Sequence, residues 1–176
     1  MESTVLWFTG LSGAGKTTLA EAVAARLRKD DRPVEILDGD VVRKHLCAEL
    51  GFSKEDRETN IRRIAFVAQL LVRNGVTVAV AAISPFRANR DEVRALIGRF
   101  VEIHVAPPLD VCIKRDTKGL YAKALSGELP QFTGINDPYE EPLSPELVLN
   151  TSVLPLNDCV LRILDKMRDL GYLEGT

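Results

Sequence analysis

Cysteine, histidine and tryptophan are scarce in this chain of 176 residues: three Cys, two His and one Trp. Cys47, Cys112 and Cys159 stand far apart and form no C-x-x-C pair, which excludes a disulfide framework and a thiolate zinc site. Scattered reduced thiols point to a cytoplasmic setting. No apolar run approaches the ~20 residues that a membrane-crossing helix needs, so no membrane role is expected. Met1-Glu2-Ser3-Thr4 carries no basic leader and runs directly into strand-like sequence, so no secretory signal is expected either. Charge of one sign is also lacking, because 23 Lys and Arg against 25 Asp and Glu leave a net −2. That balance excludes a nucleic-acid polymer bound through bulk charge, yet leaves room for a small anion held by local arginines. Repeats, low-complexity tracts and flexible linkers are missing, and one domain over residues 1–176 is expected.

What is present is an alternation of short apolar runs with helical stretches. Val5-Leu6-Trp7-Phe8-Thr9, residues 34–37, residues 76–83, residues 101–105 and residues 147–150 read as five strands. The run VTVAVAAI at 76–83 is almost continuously apolar, as expected of a strand covered on both faces. Helices are predicted over 17–29, 54–73, 91–99, 109–126 (weakened at Gly119) and 157–170, and residues 127–145 read as loop with four prolines. In the 54–73 stretch, Ile61, Ile64, Ala65, Ala68, Leu71 and Val72 keep the 3.6-residue period. Strands alternating with helices predict a three-layer α/β domain around a five-stranded parallel sheet.

Gly10-Leu11-Ser12-Gly13-Ala14-Gly15-Lys16-Thr17 matches G-x-x-x-x-G-K-[ST] in full, with a strand before it and a helix after it. Backbone N–H groups of such a loop converge on phosphate oxygens, and the helix N-terminus adds positive potential. Gly10, Ser12, Gly13, Ala14, Gly15, Lys16, Thr17 and Thr18 are therefore candidate residues for binding a nucleoside triphosphate. Lys16 would reach the β- and γ-phosphates, and Thr17 would ligate Mg²⁺. No N-K-x-D guanine motif occurs, and the strand after the long helix ends in Ile83-Ser84-Pro85 without an acid. Both facts favour a small-molecule kinase over a switch or a motor.

Asp38-Gly39-Asp40 closes the second strand, at the edge where open α/β sheets bind ligands. One carboxylate could hold metal through water while the other accepts a hydroxyl proton; a plain Asp-Gly turn is the alternative. Arg43, Arg57, Arg62 and Arg63 cluster with Asn60, and Arg57 and Asn60 share a helical face. They suit an anion and a sugar or base edge, or else form a solvated face paired with Glu55, Asp56 and Glu58. Phe52 and Phe132, in polar surroundings, could stack on a purine or pack beneath loops. Arg115 and Lys118 place two cations on a presumed lid at about 109–142. His45 and His104 suggest no role.

Taken together, the motifs resemble those of the adenylylsulfate (APS) kinase family. The matching segments are GLSGAGKTT (10–18), LDGDVVR (37–43), GFSKEDRETNIRR (51–63), ISPF (83–86), RDTKGLYAKA (115–124) and FTGINDPYEEP (132–142). The resemblance implies a mobile-lidded phosphate-loop NTPase fold. It also implies transfer of the γ-phosphate of ATP to the 3′-hydroxyl of adenosine 5′-phosphosulfate, giving 3′-phosphoadenylylsulfate and ADP, with Mg²⁺. Asp40, Arg43, Arg57, Asn60, Ile83, Ser84 and Lys118 would contact APS, and Phe52 and Phe132 would sandwich its adenine. Arg115 and Leu154 would lie by ATP. Ser84 falls at the phosphoserine position of bacterial members, although in-line transfer between bound substrates needs no such relay. Asp40 is then the expected proton acceptor and Asp38 the group for the metal's water shell. A homodimer is expected, and fusion to or association with ATP sulfurylase stays open. Two alternatives remain: another small-acceptor kinase of this fold, or a domain that binds APS and ATP without catalysis.

The phosphate loop generates one prediction directly. Lys16→Ala should abolish phosphoryl transfer while leaving the fold intact, since one cation at the transferring phosphate contributes roughly 3–4 kcal/mol. A variant with native circular dichroism and near-normal turnover would refute it.

Overall fold

The computed structural model describes residues 2–174. Five strands, β1 (Val5–Thr9), β2 (Val34–Asp38), β3 (Thr77–Ala81), β4 (Phe100–Val105) and β5 (Leu147–Leu149), form one sheet in the order β2-β3-β1-β4-β5. Every pairing is parallel. Parallel neighbours need crossovers, and among the described residues six helices lie in them: α1 (Lys16–Lys29), α2 (Gly39–Leu46), α3 (Lys54–Arg73), α4 (Arg87–Ile97), α5 (Leu109–Arg115) and α6 (Leu120–Leu125), while α7 (Leu156–Asp169) follows β5.

Side-chain alternation along β1 explains the three layers. Leu6 and Phe8 face one side with Leu19, Val23 and Leu27 of α1 and Ile163 and Met167 of α7. Val5 and Trp7 face the other with Ile61, Ile64 and Ala68 of α3 and Val93 of α4. All five β1 residues are buried, as are all of β3 and β4, so the continuous apolar runs reflect cover on both faces. The connection after β1 runs past β3 to β2, whereas the one after β3 runs back past β1 to β4, so the two leave in opposite directions. The crevice at the carboxyl ends of β1 and β3 is the site such a sheet offers.

Three local expectations are corrected. Asp38-Gly39-Asp40 is not a simple turn: Asp38 caps α2, accepting at Oδ1 from the amides of Asp40 (2.9 Å) and Val41 (3.3 Å). The helix expected from 91 begins at Arg87; its extra first turn carries Asn89 and Arg90, both buried, and Arg90 bonds to Glu102, Ser84 and Glu140. The stretch 109–126 is two helices. Its break at Asp116–Gly119 is stabilised by Asp116, whose carboxylate accepts from the amides of Tyr121 and Ala122, both at 3.0 Å. The helix over Lys54–Arg73 agrees with its period, with Ser53 accepting from Asp56 N at the cap.

The two faces of α3 generate a stability test. Ile64 is fully buried and Phe66 is 55% exposed. Ile64→Ala should cost about 2–5 kcal/mol in urea unfolding, whereas Phe66→Ala should change stability far less. Equal losses for the two would contradict the packing described.

Candidate active site

The phosphate loop is shaped by backbone demands before any side chain acts. At Gly10, φ is +148°, and a Cβ there would sit 2.3 Å from the carbonyl oxygen of Val105. Only glycine lets the end of β1 turn so close to the end of β4. Gly15 precedes α1 in a left-handed conformation, with no side-chain cap and no acid in the first helical turn. The first amides of this fourteen-residue helix are thus available to an anion.

Lys16 folds back over the loop, donating to the carbonyls of Gly10 (2.9 Å) and Leu11 (2.7 Å). Desolvation by burial pulls its pKa down to about 8, opposed by the charges of Asp40 and Asp38. Thr17 donates from Oγ1 to Asp38 Oδ2 at 2.6 Å. That hydroxyl–carboxylate pair is an all-oxygen donor set of the kind a hard divalent cation takes. Among the described residues no cluster of three or more His, Cys, Asp or Glu could cage a metal. A cation at Thr17 and Asp38 would therefore complete its shell with water and phosphate oxygens, which suits Mg²⁺.

One cavity of about 860 Å³ opens beside the loop. Of the candidate residues, Ser12, Gly13, Gly15, Lys16, Thr17, Thr18, Asp38, Arg115 and Leu154 line its phosphate-loop end. Asp40, Arg43, Phe52, Arg57, Asn60, Ile83, Ser84, Lys118 and Phe132 line the rest. Gly10 and Ala14 do not reach the wall. Ala14 is buried, and its carbonyl accepts from Thr151 Oγ1 at 2.7 Å.

The arginine reading resolves in part. Arg57 is not paired with the acids of its own helix. Its Nε donates to Phe52 O (2.9 Å), Nη1 to Thr133 Oγ1 (3.0 Å), and Nη2 to Gln131 O (2.7 Å) and Asp137 Oδ2 (3.1 Å). It thereby ties α3 to the segment that carries Phe132. Asn60 is buried at the cavity wall with Oδ1 unpaired. A buried amide oxygen without a partner loses its solvation, so a donor from a ligand would relieve it. Arg43 donates to Leu50 O (2.8 Å) and Gly51 O and lies 4.3 Å from the centre of the Phe52 ring. Arg62 and Arg63 point away to Glu92 and Glu49 and do not line the cavity. Phe52 is exposed, whereas Phe132 is buried edge-on against Tyr121 at 5.0 Å.

Arg115 braces the loop, donating to Gly13 O (3.2 Å), Thr151 Oγ1 (3.1 Å) and Thr151 O (2.8 Å). Asp40 and Lys118 meet as an exposed ion pair across the mouth of the cavity. His104 stacks on Tyr139 at 5.9 Å, and burial lowers its pKa, which fits a structural role.

Ser84 is 2% exposed with φ +43°, a left-handed conformation that costs a residue with a side chain about 1–3 kcal/mol. Its hydroxyl accepts from Trp7 Nε1 (3.0 Å) and donates to Ala82 O (3.3 Å), so both its polar functions are engaged within the protein. Sequence reasoning missed the residues that hold this turn. Thr9 Oγ1 donates to Ile83 O at 2.8 Å, and buried Arg90 donates from Nη1 to Ser84 O at 2.6 Å. The available signal was an arginine within a stretch whose period places it inward, which sequence alone gives no reason to prefer.

A sequence model of the family described as adenylylsulphate kinase matches residues 2–150. The chain is 57% identical over 172 residues to an adenylyl-sulfate kinase of Rippkaea orientalis, covering 98% of this chain and 95% of that protein. It is 60% identical over 169 residues to one of Chloroflexus aurantiacus, covering 96% and 91% respectively. Among solved structures it resembles the Mycobacterium tuberculosis APS kinase CysC in complex with AMPPNP and APS. That likeness has a TM-score of 0.91 at 41% identity and covers 95% of this chain and 98% of that one. The phosphate loop and these likenesses agree along almost the whole length: the chain belongs to the adenylylsulphate kinase family.

Proposed function

We propose that the protein transfers the γ-phosphate of ATP to the 3′-hydroxyl of adenosine 5′-phosphosulfate, forming 3′-phosphoadenylylsulfate and ADP. The observation that carries this reading is the single cavity lined at one end by the phosphate loop and at the other by Arg43, Phe52, Arg57, Asn60 and Phe132. Donor and acceptor bound there would meet at Asp40.

The chain's residues divide the work. The amides of the phosphate loop and the N-terminus of α1 bind the β- and γ-phosphates. Lys16 exchanges the carbonyls of Gly10 and Leu11 for phosphate oxygens and carries charge that develops on transfer. Mg²⁺ would be held by Thr17 and, through water, by Asp38, and when bound it neutralises phosphate charge. Arg115 and Leu154 border the end taken by the nucleotide base of ATP. Asn60 and Arg57 recognise APS, and Phe52 and Phe132 flank its adenine. Asp40 lies at the rim, where release from Lys118 frees its carboxylate to take the 3′-hydroxyl proton. Residues 109–142 act as a lid in this scheme. The Ser84 hydroxyl has its proton directed at a backbone carbonyl and no base beside it, which supports direct transfer over a phosphoserine relay. The homodimer rests on the family resemblance and the cytoplasmic setting on the scattered free cysteines; among the described residues no helix is long and apolar enough to cross a membrane.

Turnover with APS, against turnover with nucleoside monophosphates and sugars, tests the reaction. Phosphorylation of APS alone is expected, and preference for another acceptor would overturn the assignment. Within it, Ser84→Ala should keep substantial activity, while Asp40→Asn should lose most activity at unchanged ATP affinity. Chirally labelled γ-phosphate should emerge inverted at phosphorus. Retention of configuration would establish two successive transfers instead.

The Lys16 pKa gives a pH signature. Below about 8 the ammonium is present in the free protein, and phosphate binds it without proton exchange. Above that value the amine is neutral, so binding must take up a proton, and apparent ATP affinity falls by at most about tenfold per pH unit. Calorimetry in buffers of different ionisation enthalpy should find proton uptake near zero at about pH 6.5, approaching one proton at about pH 9. Proton release on the alkaline side would contradict the lowered pKa.

A further inference from the structure

Arg90 takes no part in the scheme above, yet it is a charged side chain only 2% exposed. Nε donates to Glu102 Oε1 at 2.9 Å, Nη1 to Ser84 O at 2.6 Å, and Nη2 to Glu140 O at 2.6 Å. The two carbonyls belong to segments far apart in sequence, and one planar guanidinium spans both while a carboxylate on β4 fixes its back edge. Glu102 is fixed in turn: its second oxygen accepts from Arg94 (3.2 Å), and its amide donates to Glu146 Oε2 (2.6 Å). The contact is reinforced on either side. Glu140 N donates to Pro85 O at 2.8 Å, and Tyr139 shares a hydrogen bond of 2.9 Å with Thr9 Oγ1, which itself holds Ile83 O.

Three of these contacts meet at the Ile83–Ser84–Pro85 turn, which lines the cavity: Arg90 on Ser84 O, Thr9 on Ile83 O and Glu140 N on Pro85 O. Ser84 holds its left-handed conformation without the help of glycine, so surrounding bonds must over-determine it. Arg90 supplies the shortest of them to the main chain. We propose that Arg90, locked by Glu102, is a positioning residue for the acceptor: by tying the Ser84 turn to the 139–141 segment behind it, Arg90 fixes that turn as the wall against which APS is oriented. The inference rests on the assignment of APS to this end of the cavity. Lysine cannot replace arginine here, because a single ammonium lacks the fork that reaches two carbonyls and a carboxylate together.

Trp7, the only tryptophan in the chain, reports on the same turn through its indole hydrogen bond to Ser84 Oγ. The test is Arg90→Lys, with Arg90→Gln/Glu102→Gln as a second variant that removes both buried charges. Wild-type turnover on APS is measured first, so a wrong substrate assignment shows before any variant is made. The expected result is a rise of about tenfold or more in KM for APS with KM for ATP changed by less than about twofold, together with an altered near-ultraviolet dichroism band of Trp7. An unchanged KM for APS, parallel rises for both substrates, or an unaltered Trp7 band in a folded variant would overturn the proposal. If neither variant folds, the wild-type protein decides. APS should shift Trp7 emission where a non-hydrolysable ATP analogue alone does not, and the absence of any APS-specific shift would reject the role.

Discussion

The carboxylate of Asp38 joins the two halves of the site. One oxygen caps α2, which carries Asp40 and Arg43; the other accepts from Thr17, in the first turn of α1. The first turns of α1 and α2 are therefore registered to each other by a single side chain at the end of β2. Register alone would not suffice, because β2 is an edge strand, paired only with β3. The bond to Thr17 crosses from that edge to the helix that follows the central strand. In the proposed scheme a group so placed would serve structure and metal binding together, since the oxygen facing Thr17 is the one that a hydrated cation would meet.

The cations of the site share a second constraint. Lys16, Arg43, Arg57 and Arg115 all spend donors on backbone carbonyls. A positive charge at a partly buried wall needs such partners, since desolvation without them is costly. Carbonyls satisfy a donor without neutralising its charge, so the positive potential toward a polyanionic ligand survives. Two cations of the wall also have a carboxylate partner: Arg57 pairs with Asp137, and Lys118 with Asp40 at the rim.

The sheet, the order of elements and the phosphate loop were legible because they follow from periodicity and from a motif whose backbone role is local. The fully buried β3 and the long helix α3 show how directly an apolar pattern reports burial. Most of the cavity wall was legible too, but through resemblance more than through physics. From the residues alone, Arg57 and Asn60 fitted a solvated helix face as well as a ligand site, and only the tertiary contact of Arg57 with residues 131–137 separates the two. The α2 helix was missed because Asp-Gly-Asp carries a strong turn signal, and the cap that turns it into a helix start depends on where Asp38 points. Arg90 was out of reach for a different reason. Its partners lie 6, 12 and 50 positions away, and no local pattern records a guanidinium that bonds to main-chain oxygens.

Attachment strengths around the cavity differ in a way that bears on substrate entry. The floor is held by buried groups: Arg90, Glu102, Trp7 and Ser84 are each less than a tenth exposed. The segment from α5 to residue 137 is anchored at both ends, by Arg115 on the phosphate-loop carbonyls and by Arg57 on Gln131, Thr133 and Asp137. Between those anchors, the contact that bridges the mouth is the Lys118–Asp40 pair, with side chains 54% and 65% exposed. An ion pair so accessible to water contributes at most about 1 kcal/mol. Breaking it uncovers Asp40 while both anchors stay intact. The mouth can thus open at the carboxylate assigned to the proton, at little energetic cost, with the aromatic and arginine walls still in place. In the proposed scheme this exposed pair holds the base, so an acceptor that arrives with its own anionic groups would compete for Lys118 and free the carboxylate in one exchange.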